Sequence, residues 1–86
     1  DILDETLLYT LSSRMKVSRQ IGEYKKNNNI AILQTSRWDS LLAKVVAKGE
    51  EYGLPQRFVE DVFNAIHETS VEVQNEVISG KTSEQQ

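Results

Sequence analysis

The chain has no cysteine, so it can form neither a disulfide framework nor a thiolate metal site. A single histidine leaves no zinc-ligand set of the usual kind. One proline and four glycines are too few for the turns of an all-β domain. No apolar run approaches the roughly 18 residues of a membrane span, and no signal-peptide pattern opens the chain. Excess positive charge is also missing. Ten Lys and Arg stand against 13 Asp and Glu, a net charge of −3, whereas a general nucleic-acid binder would carry a basic footprint. What remains is expected to be one soluble domain of 86 residues, 38% apolar, in the cytoplasm. A domain this small buries only about 60% of its unfolded surface. Without disulfides or a metal, it is left with long, well-packed helices or burial against a second copy.

What the chain does have is helical spacing. Leu7, Leu8, Leu11, Met15 and Ile21 recur at threes and fours over a first segment, about 1–26. Asn27-Asn28-Asn29 is read as its break, because Asn favours turns and left-handed conformations. Ile30 to Leu33 is expected to be a connection tucked against the core. Thr35 or Ser36 is expected to cap the second helix, with Asp39 completing a weak capping box. Trp38, Leu41, Leu42, Val45 and Val46 then form an amphipathic stripe, and Gly53 ends it. Pro55 suits the first turn of a third helix. That helix carries Phe58, Val59, Val62, Phe63, Ile66, Val73, Val77 and Ile78 and ends at Gly80. The prediction is an all-α domain over residues 1–80 with three helices, long, medium and long, followed by a polar tail over 81–86. The long helices, at 1.5 Å per residue, approach about 40 Å. That exceeds what a compact 86-residue monomer can cover and predicts an intertwined homodimer.

Polar residues interrupt two of the apolar faces. Asp4, Leu7, Leu11, Arg14, Ser18, Ile21 and Lys25 follow one another at steps of three or four on one face of the first helix. Arg14 and Lys25 point the same way, roughly 16 Å apart along the axis. Either both snorkel to water or both face a shared interior. On the third helix Phe63, Ile66, Ser70, Gln74 and Val77 step in the same way. Here the alternatives are back-bonding by Ser70 with a solvated Gln74, or two polar groups turned inward. Arg37 opens the second helix, where a cation gains nothing from the macrodipole. If the helices pack together, Arg14, Lys25, Arg37, Ser70 and Gln74 converge. Three buried cations are very costly without anions, and Asp4 is the only acid on those faces. The missing charge would then be a ligand, a small anion with more than one carboxylate or phosphate. His67 has no Ser or Cys partner at a recognisable spacing, and Trp38 continues an apolar stripe, so both read as structural. A pocket of cations and amides without acid, base or nucleophile suits binding, or a reaction that needs only orientation and electrostatic stabilisation. It calls for no cofactor and no metal.

Leu3-Asp4-Glu5, Leu7-Leu8, Leu11, Arg14, Val17, Ile21-Gly22 and Lys25, followed by Arg37, Ser70 and Gln74, run without gaps from about Ile2 to Val77. In this pattern the chain resembles the all-helical chorismate mutases. The resemblance implies the Claisen rearrangement of chorismate to prephenate in aromatic amino-acid biosynthesis, and a dimer whose long first helices pair. It implies that Arg14 binds a substrate carboxylate and that Ser70 helps to hold the ring carboxylate. It implies that Lys25 and Gln74 donate to the ether oxygen and that Arg37 supports the carboxylate end. Gln34 stands where the family often has an Asp that meets the ring hydroxyl, and is expected to accept a hydrogen bond there. Trp38 stands where the family often has a Glu and cannot accept one. An Arg that the family carries near the start of helix one would precede Asp1 in this register. The start at Asp1 suggests a domain excised from a fusion with another pathway enzyme. Two alternatives share these residues: an isochorismate–pyruvate lyase of the same fold, and a non-catalytic helical dimerisation or regulatory module.

Overall fold

The computed structural model describes residues 1–32 and 35–80, the side chains of Thr35 and Ser36 excepted. Three helices follow in order: α1 (Ile2–Asn28), α2 (Thr35–Glu51) and α3 (Gln56–Ser79). The described residues contain no strand, in agreement with the all-α expectation. The expected cap at Thr35 or Ser36, the residues Leu33 and Gln34, and the tail over 81–86 lie outside the described residues.

Local chemistry explains the helix ends. Asp1 caps α1 by accepting the Leu3 N–H at 3.2 Å. Asp4 and Glu5 sit in its first turn and Lys25 and Lys26 in its last, each complementing the macrodipole. The helix runs two residues past its expected end at position 26. Asn27 and Asn28 stay helical, and the Asn28 amide donates to the Tyr24 carbonyl at 2.8 Å. A run of Asn is therefore not itself a break, since its side chains can bond back along the helix. The stop falls on Asn29, which takes the left-handed conformation (φ 54°, ψ 44°). The Ile30 N–H then closes on the Lys25 carbonyl at 3.0 Å. Gly53 (φ 78°) turns the chain after α2. Pro55 sits immediately before α3, and its carbonyl accepts the Val59 N–H at 3.1 Å.

The chain divides into two compact units, drawn from Asp1–Ile32 with Thr69–Gln86 and from Leu33–Glu68. In the first, α1 packs on the later turns of α3. The closest approach is at Gly22, where an added Cβ would lie 3.1 Å from Gln74 Cα and 3.2 Å from Val77 Cβ. Ser18 and Gly22 are buried at this seam, and Leu11, Met15 and Lys25 on the same face are half-buried. The first ten residues of the chain are all exposed, including Leu3 (75%) and Leu8 (66%).

In the second unit α2 packs on the earlier turns of α3. An added Cβ at Gly49 would come 2.7 Å from Val59 Cγ2. Val59 is the one buried large apolar side chain among the described residues. Trp38 stacks on His67, with ring centroids 4.0 Å apart and planes 10° from parallel. Both residues were expected to be structural, and the stack gives them that role.

Candidate functional site

Within the first unit, the Gly22 approach brings a polar residue of α1 onto two of α3. Ser18 Oγ and Ser70 Oγ lie 2.6 Å apart. Gln74 Nε2 donates to Ser70 Oγ at 3.1 Å. Ser18 Oγ also donates to the Arg14 carbonyl at 3.0 Å. Each hydroxyl has one proton. With the Ser18 proton on Arg14, the Ser70 proton goes to Ser18, and Ser70 offers only lone pairs to Gln74. The chain of donors therefore runs from Gln74 through Ser70 and Ser18 to the α1 backbone.

Gln74 is not on a solvated edge. It is 6% exposed, and its Oε1 has no hydrogen-bond partner among the described residues. An orphaned buried acceptor is uncommon and costs roughly 1–3 kcal/mol. The nitrogen keeps a second N–H beyond the one given to Ser70. This amide accordingly has one donor and one acceptor to offer a ligand.

The other expected site residues are placed as follows. Lys25 is half-buried on the Ser18 face of α1, and its ammonium donates to the Ile32 carbonyl at 3.0 Å. That bond holds the connection after α1 against the helix and engages one of the three ammonium protons. Arg14 is exposed on α1. Arg37 belongs to the second unit, at the first turn of α2, and is exposed. Gln34 lies outside the described residues. The sequence alone assigned no role to Ser18, although it stands on the same face as Arg14 and Lys25. The available signal was a small hydroxyl in a seam of apolar and cationic residues.

Among the described residues, no group of His, Asp and Glu could hold a metal ion. No described helix is long and apolar enough to cross a membrane.

A family model described as chorismate mutase type II matches residues 1–75. The chain belongs to the type II chorismate mutase family. Two relatives support the assignment. The chain is 32% identical over 78 residues to a bifunctional chorismate mutase/prephenate dehydratase of Buchnera aphidicola subsp. Baizongia pistaciae (strain Bp), covering 91% of this chain and 21% of the relative. It is 28% identical over 76 residues to the protein of the same description from Buchnera aphidicola subsp. Acyrthosiphon pisum (strain APS), covering 88% and 20%. The chain thus spans about a fifth of the length of the curated relatives it matches. No solved structure matches it. In the second unit the Trp38 indole is stacked on His67. An indole has no acceptor to offer a substrate hydroxyl.

Proposed function

We propose that the chain rearranges chorismate to prephenate, as the mutase portion of a longer bifunctional enzyme, and that it works as a homodimer. The observation that carries this reading is the Gln74 amide, buried and fixed by Ser70 and Ser18 in a chain of the chorismate mutase type II family. The reaction is pericyclic. An ether bond breaks as a carbon–carbon bond forms, and no proton moves. A site without acid, base or nucleophile suits it. What the site must supply is a compact substrate conformer and donors for the charge that grows on the ether oxygen.

Arg14 takes one carboxylate through its fork of donors, and Arg37 supports the carboxylate end. Lys25 and the second N–H of Gln74 stabilise the ether oxygen. The Ser70 hydroxyl is engaged by Ser18 and Gln74, so it acts by setting the amide. The names of the relatives pair a mutase with a prephenate dehydratase, which supports a fusion in which the second activity consumes the product of the first. The acidic, cysteine-free composition fits a cytoplasmic enzyme.

The dimer is supported by what α1 leaves bare. Ile2, Leu3, Leu7 and Leu8 are each more than half exposed, and Leu3 continues through the exposed Val17, Ile21 and Tyr24 as one apolar stripe beside the Ser18–Gly22 seam. A helix with apolar residues on two faces needs two partners, and α3 covers only one. A second copy of α1 supplies the other.

The test is turnover of chorismate by the purified chain, with prephenate identified as product, and sedimentation at micromolar concentration. Release of pyruvate from isochorismate in place of prephenate from chorismate would assign the lyase instead. A folded species of 9.8 kDa would refute the dimer.

A further inference from the structure

The orphaned Gln74 Oε1 has a counterpart in the proposed substrate. Chorismate offers two carboxylates and an ether oxygen, all acceptors, and one hydroxyl. That hydroxyl is its only donor, and it sits on the ring carbon next to the one bearing the ether. Among the described residues one buried side-chain acceptor is without a partner, Gln74 Oε1.

We propose that Gln74 also reads the substrate hydroxyl. Its Oε1 accepts the ligand O–H while the free N–H of Nε2 donates to the neighbouring ether oxygen. This rests on the mutase reading above. A primary amide holds donor and acceptor side by side and matches an ether and a hydroxyl on adjacent ring carbons. A general anion pocket would have no use for the acceptor.

The direction of the amide is the weak point of such a device, because its two ends have nearly the same shape. The hydroxyl pair removes the ambiguity. Ser18, 5% exposed, sends its proton to the Arg14 carbonyl. Ser70 then sends its own to Ser18 across 2.6 Å and can only accept from Gln74. Nε2 must face Ser70, and Oε1 is left for the ligand. Ser18 is therefore a positioning residue, two steps removed from the substrate.

The experiment is calorimetric binding of a bicyclic dicarboxylate mimic of the transition state, with and without its ring hydroxyl. The read-out is the ratio of the two affinities, which a general weakening of the site leaves unchanged. The parent is expected to favour the hydroxylated mimic by about tenfold, the worth of one hydrogen bond with a buried partner. Gln74→Met, similar in length but without acceptor or donor, brings the ratio to within about twofold of unity. Ser18→Ala frees Ser70 to donate to the amide oxygen and cuts the ratio by about threefold, with an unchanged circular dichroism spectrum. Gln34→Leu keeps the full ratio. Equal binding of both mimics by the parent overturns the proposal and leaves the mutase reading standing. So does a ratio that survives Gln74→Met or Ser18→Ala, or one lost in Gln34→Leu, which would assign the hydroxyl to Gln34. A parent that binds neither mimic and leaves chorismate untouched overturns the mutase reading and this inference with it.

Discussion

Each unit of the chain brings two helices together over a glycine, but the two junctions enclose different chemistry. At Gly49 the neighbour is a side-chain methyl of Val59, the most deeply buried apolar residue, and the second unit adds an aromatic stack to this contact. At Gly22 the neighbours include the backbone of Gln74, and the seam holds a buried Ser and a buried Gln. A close helix approach can therefore serve apolar packing in one place and fix a buried amide in another. The difference lies in what flanks the glycine. Apolar flanks return burial free energy, while polar flanks cost free energy and are kept for what they position.

The strongest way to separate the units is to remove the charge that the first displays. Arg14→Ala is expected to lower kcat/KM by about a hundredfold or more, since losing one partner of a charge-assisted pair typically costs roughly 2–5 kcal/mol. Arg14 is exposed, and circular dichroism would confirm that the variant is folded. Activity within tenfold of the parent would show that the guanidinium does not meet the substrate.

Gln74→Glu sharpens the same contrast through pH. A protonated carboxyl can donate to the ether oxygen as the amide does, whereas an ionised one cannot and repels the charge growing there. Activity should be highest at acid pH and fall as pH rises through the carboxyl's titration, with no such loss in the parent. Parallel profiles of kcat/KM against pH, with folding checked by circular dichroism, would remove α3 from the site.

Matched glycine substitutions come next. In Gly22→Ala the new methyl meets backbone at 3.1 Å, which cannot turn aside, so α1 must move off α3 and carry Ser18 away from Ser70. A loss of about tenfold in kcat is expected, the size of one misplaced hydrogen bond. In Gly49→Ala the clash is with a valine methyl, so stability should fall while kcat holds. Overpacking costs roughly 1–3 kcal/mol, partly offset by about 1 kcal/mol of helix propensity. Adding Val59→Ala should recover part of that loss, a non-additivity that denaturant titrations would register. Equal effects on kcat from the two glycines would dissolve the distinction between the junctions.

The smallest effect is expected from Arg57→Ala. Arg57 pairs with Asp61 at 3.4 Å, with both side chains mostly in water, and such pairs contribute about 0–1 kcal/mol. A melting shift of more than a few degrees would mean that this surface pair matters more than its exposure allows.

Helix number, order and length could be read from the sequence because periodicity is a local property. The stripe from Trp38 to Val46, the turn at Gly53 and the boundary near Pro55 all lie where spacing and backbone chemistry put them. The misplaced end of α1 has a local cause too: three consecutive Asn look alike in sequence, and only Asn29 takes the left-handed conformation. Ser18 is a different case. Its face was legible, but its partner was not, since pairing with Ser70 depends on the register between α1 and α3. That register is fixed by the absence of a side chain at Gly22, and spacing along one helix does not contain it. Burial of Gln74 follows from the same contact and was open until the two helices were seen together.

The bare opening turns of α1 bear on how the protein responds to dilution. Under the proposed pairing those leucines leave water only when a second copy arrives, so unfolding and dissociation become one event. The melting temperature should then depend on total chain concentration, and each tenfold dilution should remove about 1.4 kcal/mol from the free energy that holds the pair together. Tethering each copy to a partner enzyme that itself self-associates would raise the local concentration and relieve that dependence. The fusion would in that case stabilise the mutase fold as well as supply the next catalyst.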